Sequence, residues 1–217
     1  MLSGESPHFF ESTILSTGAE EKHWKCFWEE RGRPRNRVAF VKHGLGESDT
    51  GVIDRARSAV DGHGATAITI ILNAIDRLVH GASAGPSVLQ ASVRQWGRDG
   101  HLVSLIQLLL QRQFDVFVSS DHGNTDASGV GRPGIGSIPD ETGTRTIIFP
   151  DANTRRTFLD NQAAFEWNGV GLPATMHVAL AADRGAFAMQ GATVRSHGGI
   201  SIDEVIVPFI RIEGAKA

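Results

Sequence analysis

The sequence has one cysteine, no long apolar run and no large excess of charge of one sign, and each absence excludes a class of protein. Cys26 cannot form an internal disulfide by itself, which favours a reducing compartment and therefore the cytoplasm. The longest apolar run, residues 65–72, is far too short to span a bilayer. The first residues, MLSGESPHFFES, lack the apolar segment of a signal peptide. The net charge of −3 creates no field that would recruit nucleic acid.

The composition is that of an ordinary globular protein, with 41% hydrophobic and 21% charged residues in a chain of 217 residues. This length is sufficient for one sizeable domain. Neither an internal repeat nor a linker is recognisable along the chain, so we expect residues 1–217 to form a single domain.

Apolar patterning predicts strands that alternate with helices. Strands are expected at residues 38–41, 65–73, 114–119, 144–149 and 205–212. Helices are expected at residues 49–61, 88–113 (with Gly97 and Gly100 as potential breaks), 155–161 and 175–182, and after a capping box formed by Thr17 and Glu20. Residues 123–143, rich in Gly, Ser, Pro and Asp, are expected to form a loop. This alternation predicts an α/β fold with a mostly parallel central sheet flanked by helices.

Three short motifs of acids and histidines indicate the chemistry. They lie at predicted strand ends or turns and read Asp76-x-x-x-His80, Asp121-His122-Gly123 and His197-Gly198-Gly199. Acids that follow parallel strands reach the same edge of a sheet, and Asp76 and His80 would share one face of a helical turn. Carboxylates and imidazoles together bind divalent metals. Each motif alone also fits a turn or a surface loop, but the three together favour a metal-dependent hydrolase.

Longer segments around these motifs resemble a known family. The stretches IILNAIDRLVHG (residues 70–81), SSDHGN (residues 119–124) and SHGGISIDEVIVPFIRI (residues 196–212) look like the PglZ domain. This family belongs to the alkaline phosphatase superfamily and is linked to the BREX and Pgl systems that protect bacteria from phage. EEKHWKCFWEERG (residues 20–32) also resembles the family, so the resemblance covers nearly the whole chain.

The resemblance implies an alkaline-phosphatase-like fold and a phosphatase or phosphodiesterase that uses two divalent ions, zinc or manganese. Asp76, His80 and His197 would bind one ion. Asp121 and His122 would bind the other. The superfamily completes the second site with an aspartate at the end of its first strand and a Ser or Thr nucleophile on the next helix. We expect both to lie upstream of Met1, so that this chain would be the C-terminal portion of the domain.

A chain without the N-terminal strand and the nucleophile helix would have an incomplete second metal site. We therefore expect little or no turnover from it, so that its status as an enzyme is uncertain. The missing strand would also expose a sheet edge, which predicts marginal stability or an oligomer.

Two other functions are compatible with the sequence. One is a non-catalytic protein-interaction module of a BREX-type complex. The other concerns the only basic cluster of the chain, arginines 31, 33, 35 and 37, which is either a solvated connector or a contact to phosphate or nucleic acid. The expected partners are therefore a phosphate ester or the DNA backbone and other phage-defence proteins, without a membrane.

Overall fold

The computed structural model of the chain describes residues 3–4, 11–14, 16–81, 86–132, 134 and 144–214. These residues form two compact units, the first built mainly from residues 16–118 and 210–214 and the second mainly from residues 119–209. In chain order the helices and strands are α1 (Glu20–Glu29), β1 (Val38–Lys42), α2 (Asp49–Arg57), β2 (Ala67–Ile71), α3 (Ala74–Gly81), α4 (Pro86–Arg98), α5 (His101–Gln111), β3 (Val116–Ser119), β4 (Thr125–Gly129), β5 (Thr146–Phe149), α6 (Ala152–Leu159), β6 (Ala164–Trp167), β7 (His177–Ala181), β8 (Gly185–Ala186), β9 (Thr193–Ser196), α7 (Ile202–Val205) and β10 (Phe209–Ile212). Among the described residues, every helix is too short or too polar to span a bilayer.

The first unit contains two pairs of strands. β1 runs parallel to β2, with Val38 opposite Ala67 and Lys42 opposite Ile71, and β3 pairs with β10. Helices α2 and α5 pack on each other and supply most of the core. The buried core residues of this unit are Ile53, Ala56, Val60, Leu105, Leu109 and Val116. The first three strands predicted from the sequence are thereby confirmed.

Helix α1 presents three aromatic rings that pack on one another. The rings of Trp24 and Phe27 are parallel, with centroids 6.2 Å apart, and the ring of Trp28 meets both edge-on. The start of the helix differs from the sequence prediction. The hydroxyl of Ser16 accepts the N–H of Gly18 and opens a single 3-10 turn before α1 begins, and no side chain caps α1 itself, so the predicted capping box is wrong.

The long helix predicted over residues 88–113 is divided into α4 and α5. Gly100 has a φ of +80°, a left-handed conformation that glycine adopts without strain and that an α-helix cannot continue. Gly97, the other potential break, lies inside α4. Of the two glycines that the sequence indicates as potential breaks, Gly100 separates the two helices and Gly97 does not.

The second unit contains two three-stranded sheets. In one sheet β4 lies between β8, to which it is parallel, and β9, to which it is antiparallel. In the other, β7 lies between β5 and β6 and is antiparallel to both. The core under the second sheet consists of Ile147, Phe149, Ala179, Ala181 and Phe187. A smaller cluster of Ala127, Ala186 and Ala188 lies under the first.

The α/β fold class is confirmed, but the expectation of a mostly parallel sheet holds only in part. β1 and β2 are parallel, as are β4 and β8. The pairs β4–β9, β5–β7 and β6–β7 are antiparallel. Residues 175–182, predicted as a helix, instead contain β7. Residues 178–181 are all buried between two neighbouring strands, so tertiary packing overrides the helical preference of an alanine-rich segment.

The loop predicted over residues 123–143 contains a strand, β4. Burial alternates along it, with Thr125, Ala127 and Gly129 inside and the two residues between them exposed, which is the period of a strand. The small and polar side chains hid this alternation in the sequence, because an apolar inner face is the usual signal. Residues 133 and 135–143 of the predicted loop lie outside the described residues.

The last predicted strand, residues 205–212, is shorter in the structure. Residues 202–205 form the single helical turn α7, and β10 begins only at Phe209, directly after Pro208. Proline has no N–H to donate to a strand ladder, so it is found at the beginning of a strand rather than inside one. The remaining predicted helices and the strand at 144–149 are found as α2, α6 and β5.

Candidate functional site

The second unit brings two of the predicted ligands, His122 and His197, into direct contact. Their imidazole rings are stacked, with centroids 3.9 Å apart and planes inclined by 19°. The strand register explains this contact, since Thr125 at the start of β4 lies opposite Ser196 at the end of β9. The residues just before β4 and just after β9 therefore emerge at the same end of this antiparallel pair.

The tautomer of His122 follows from its surroundings. Its Nδ1 lies 2.9 Å from the carbonyl oxygen of Gly123. Because a carbonyl oxygen can only accept, Nδ1 carries a proton and donates, and Nε2 of the neutral ring keeps its lone pair. Metal-bound histidines commonly donate their second N–H to a backbone carbonyl in this way. In this tautomer, Nε2 is the atom that His122 could offer to a metal.

Asp121 lies close to the nitrogen that would bind the metal. Its Oδ1 is 3.8 Å from Nε2 of His122. Two ligands of one tetrahedral ion, at bond lengths of about 2.0–2.2 Å, lie about 3.4 Å apart, so the observed separation is close to that of a shared ion. The side chain of Asp121 is 78% exposed and that of His122 is 34% exposed, which leaves the pair open to an ion and to a substrate.

Three of the predicted ligands, Asp121, His122 and His197, therefore lie together in the second unit. Within the part of the chain that the structure describes, no group of three His, Cys, Asp or Glu side chains is arranged as a complete metal site.

Asp76 and His80 belong to helix α3 of the first unit. The helix begins three residues after β2, and its formation confirms the predicted helical turn. The i, i+4 spacing places both residues on one face of the helix. Asp76 is exposed, whereas Val79, three residues later, is buried. The side chain of His80 lies outside the described part of the structure.

Arg145, just before β5, holds the segment around His197 from one side. Its Nε lies 3.0 Å from Oε1 of Glu204, and the two side chains are 4% and 1% exposed. Its terminal nitrogens donate to the carbonyl oxygens of Asp183 (2.7 Å) and Gly185 (2.6 Å). Its backbone N–H donates to the carbonyl oxygen of His197 (3.3 Å). The buried cation is therefore paired and also tied to the main chain of the candidate ligand.

Glu204, in α7, is connected to both histidine segments. Its carboxylate accepts hydrogen bonds from the backbone N–H of Gly199 (2.7 Å) and from the N–H (3.2 Å) and hydroxyl (2.6 Å) of Ser201. Its backbone carbonyl accepts the N–H of Gly123 (2.8 Å). A single residue therefore binds the backbone that follows His197 and the backbone that follows His122.

The contacts of Glu204 keep its carboxyl group ionised. Burial by itself would raise the pKa of this group. The hydrogen bonds from Ser201 and Gly199 and the positive charge of Arg145 outweigh that effect and hold the pKa of Glu204 below its ordinary value of 4.5. The carboxylate and the guanidinium of the ion pair are thus both charged at neutral pH.

Two glycines allow the backbones to approach so closely. A Cβ at Gly123 would lie 1.9 Å from the carbonyl oxygen of Asp203, and a Cβ at Gly199 would lie 2.5 Å from Nε of Arg145. Gly198, which lies between His197 and Gly199 in the third motif, has a φ of +94°, which only glycine adopts readily. The sequence predicts a sharp turn at Gly123, but the structure shows that glycine is needed there for close contact with α7.

Sequence reasoning did not assign a role to Arg145 or Glu204. Glu204 had a local signal, because Ser201 and Glu204 have the spacing of a capping box, and the structure confirms that box at the start of α7. Arg145 had no local sequence signal, because its side-chain partners lie 38 to 59 residues away along the chain. Contacts of that range depend on the fold and leave no short motif.

The basic cluster at residues 31–37 is largely engaged by its own neighbours. Arg31 lies over the ring of Phe27, with its guanidinium carbon 3.7 Å from the ring centroid. Arg35 pairs with Glu29 at 2.8 Å and donates to the sulfur of Cys26 at 3.0 Å. These local contacts favour the connector over the nucleic-acid contact, because partnered arginines have less charge to offer a phosphate backbone.

A protein family matches the chain over most of its length. The family described as the BREX system PglZ alkaline phosphatase-like domain matches residues 8–212. The match runs through both units and includes all five predicted metal ligands. No curated protein matches the chain.

This match corrects one expectation about the extent of the domain. The sequence predicted that the chain is merely the C-terminal portion of the family domain, whereas the matched region already begins at residue 8. The nucleophile and the aspartate of the first strand were expected upstream of Met1. Met1 lies outside the residues that the structure describes, and the position of the nucleophile stays a prediction.

Proposed function

The chain belongs to the family of BREX system PglZ alkaline phosphatase-like domains, and from this membership we propose that it is a metal-dependent phosphoester hydrolase domain of a bacterial phage-defence system. The proposed substrates are phosphate monoesters or diesters, which include the DNA backbone. The proposed partners are other proteins of the same system, in the cytoplasm. We also propose that residues 1–217 act as one domain, because the family match runs through both units.

The observation that best supports this proposal is the stacked pair of His122 and His197, with Asp121 beside it. The proposal assigns Asp121 and His122 to one divalent ion. From the family resemblance it assigns Asp76, His80 and His197 to the other. Zinc and manganese both accept such mixed sets of imidazole and carboxylate ligands.

The chain's own residues have distinct roles in this proposal. When bound, the ions supply the Lewis acidity that polarises a phosphoryl oxygen. The carboxylate of Asp121 adds negative charge that favours a cation next to His122. The carbonyl of Gly123 holds the Nδ1 proton of His122 and so keeps Nε2 as the donor atom. The exposure of Asp121 leaves room for a substrate on that side.

The proposal includes little or no turnover by residues 1–217 alone. The hydroxyls beside the histidine segments include those of Thr146 and Ser201, and both donate to other groups. The hydroxyl of Thr146 donates to the carbonyl oxygen of Gly198, and that of Ser201 donates to the carboxylate of Glu204. Neither hydroxyl lies on the helix that follows the first strand, where the family resemblance places the nucleophile, so neither is assigned that role.

Metal titration of the stripped protein tests the proposal. Zinc and manganese binding should be measured by calorimetry for the wild type, His122→Asn and His197→Asn, with His63→Asn, an exposed histidine of the first unit, as the matched control. We expect each of the first two variants to lose at least tenfold in affinity for one ion, in line with the loss of about 10–100-fold that removal of supporting groups already causes. Binding that is the same in all four proteins would refute the metal site.

Turnover is tested separately with an aryl phosphodiester and an aryl phosphomonoester in the presence of each metal. We expect hydrolysis close to the uncatalysed rate. Robust hydrolysis that Asp121→Ala abolishes would contradict the expected inactivity and would at the same time support the enzyme assignment.

A second candidate function is a non-catalytic interaction module. Large apolar side chains of the segment that contains α7 are exposed, among them Ile202 (76%), Ile206 (69%) and Phe209 (75%). Contiguous exposed apolar surface is typical of sites that bind other proteins. Binding to another protein of the defence system that is unchanged in His122→Asn and in the presence of a chelator would favour this function over the enzyme.

A further inference from the structure

We propose that Arg145 and Glu204 are positioning residues that set the distance and the parallel orientation of the rings of His122 and His197. The inference rests on the proposed function, in which these rings serve two neighbouring ions. The two residues act through the main chain on both histidine segments at once.

The hydrogen bonds show how the pair could do this. Glu204 accepts the N–H of Gly123 on its backbone carbonyl (2.8 Å) and the N–H of Gly199 on its carboxylate (2.7 Å). Arg145 donates its backbone N–H to the carbonyl oxygen of His197 (3.3 Å). Each of these backbone groups belongs to His197 itself or to a residue within two positions of His122 or His197. A shift of Glu204 would therefore move both segments.

Glu204 is itself held from several sides, which makes it a rigid reference point. Its carboxylate is bound by Arg145 (3.0 Å) and by the hydroxyl of Ser201 (2.6 Å), and its side chain is 1% exposed. Arg145 is anchored in turn on two further backbone carbonyls. Ligand sites need their side chains held to within about 0.5 Å, and buried supporting groups provide that rigidity.

A buried ion pair could also stabilise the fold without any influence on the histidines. A second pair in the same unit separates the two roles. Arg155 and Glu166 are 2.6 Å apart, with the Arg155 side chain 8% exposed, and the further partners of Arg155 are Asn168 and the carbonyl oxygen of Val178. This pair joins α6 to β6 and β7. The Glu166 side chain is 46% exposed, so this pair controls for the loss of an arginine–carboxylate contact in the unit, and its described contacts include neither histidine segment.

The decisive experiment uses metal-free protein and the Cε1–H resonances of its histidines in 13C–1H correlation spectra. Stacked rings shift each other's resonances, so the stack has its own spectroscopic signature. We expect Glu204→Gln to move the resonances of both His122 and His197 toward the positions of unstacked imidazoles. We expect Glu166→Gln to leave both resonances in place while lowering the thermal unfolding midpoint. In metal titrations, Glu204→Gln should weaken binding by about tenfold or more.

Several outcomes would overturn the inference. A folded Glu204→Gln protein with both resonances and the metal affinity unchanged is one of them. Equal resonance changes in Glu204→Gln and Glu166→Gln are another, because they would indicate general loosening of the unit.

A milder substitution covers the case in which Glu204→Gln does not fold. Ser201→Ala removes one hydrogen bond to the same carboxylate and should move the same two resonances by a smaller amount; unchanged resonances there would also overturn the inference. The failure of the proposed function is distinguishable. A wild type that binds no metal refutes that function, whereas the resonances of the metal-free protein still decide the role of Glu204.

Discussion

Thr125 lies opposite Ser196 in the antiparallel pair of β4 and β9, and this register determines which residues meet at the candidate site. Both side chains are buried, at 3% and 2% exposure. A slip of one residue would turn every buried side chain of a strand to the solvent face, so burial fixes the register. The contact between His122 and His197 is therefore a consequence of the strand pairing as well as of the loops.

A first prediction concerns the glycine of the Asp-His-Gly motif. Gly123→Ala should destabilise the protein by about 1–3 kcal/mol, as overpacking of a tight contact does, because the new Cβ would meet the backbone oxygen of Asp203 at 1.9 Å. Backbone atoms cannot rotate away as the end of a flexible side chain can. The change should be measured by urea unfolding, together with the Cε1–H resonance of His122, which we expect to move.

Gly97→Ala is the matched control for this substitution. Gly97 is exposed inside α4, and a Cβ there would meet nothing within 4 Å. Alanine is the better helix former by roughly 0.5–1 kcal/mol, so this variant should be as stable as the wild type or slightly more stable. If Gly123→Ala behaved in the same way, the close approach of α7 to the His122 segment would be wrong.

Residue spacing was enough to predict part of the site and part of the fold. The i, i+4 spacing of Asp76 and His80 on a helix could be read directly, because helical geometry is local. The break at Gly100 had the same kind of local cause. The contact of His122 with His197 needed the pairing of β4 with β9, and β4 had no large apolar side chains on its inner face to reveal it.

The second unit was harder to predict for a related reason. Antiparallel pairing of β5, β6 and β7 is decided by contacts between segments distant in sequence. The run of residues 177–181 contains alanines that favour a helix in isolation. Arg145 shows the same limit for the site, since its charge is neutralised by Glu204, 59 residues later in the chain.

A second prediction concerns the core under β5 and β7. Ile147 is completely buried and packs with Phe149 and Phe187, so Ile147→Ala should lower the free energy of unfolding by about 2–5 kcal/mol through lost burial and an unfilled cavity. Ile206→Ala is the matched control, because Ile206 is 69% exposed and surface substitutions usually change stability by less than about 0.5 kcal/mol. Chemical denaturation of both variants measures the difference. Equal effects would show that this sheet does not carry the core of the unit.

A third prediction concerns acid stability. The pKa of Glu204 is lower in the folded chain than its ordinary value of 4.5, so the folded state favours the ionised form. The contribution of ionised Glu204 to the free energy of unfolding is fully present above the pKa that Glu204 has in the unfolded chain. It is lost as the pH falls through the lower pKa that Glu204 has in the folded chain. The free energy of unfolding should therefore decrease below about pH 4.5, and less steeply in Glu204→Gln.

Urea unfolding between pH 7 and pH 3 measures this difference. Other carboxylates also titrate in that range, so the informative quantity is the gap in stability between the wild type and Glu204→Gln at each pH. The gap should be constant near neutral pH and should narrow in acid. A gap that widens as the pH falls would have the opposite sign and would contradict the ionised, hydrogen-bonded state of Glu204.

A fourth prediction tests the division of ligands between two ions. Substitutions of ligands that share an ion should not be additive, because the first removes the site that the second would also affect. Asp121→Asn and His122→Asn together should therefore weaken metal binding little more than either alone. His122→Asn combined with His197→Asn should lower the number of bound ions further than either single variant, and Asp76→Asn should resemble His197→Asn. Calorimetric stoichiometry and affinity distinguish the cases, and full additivity of Asp121→Asn with His122→Asn would refute a shared ion.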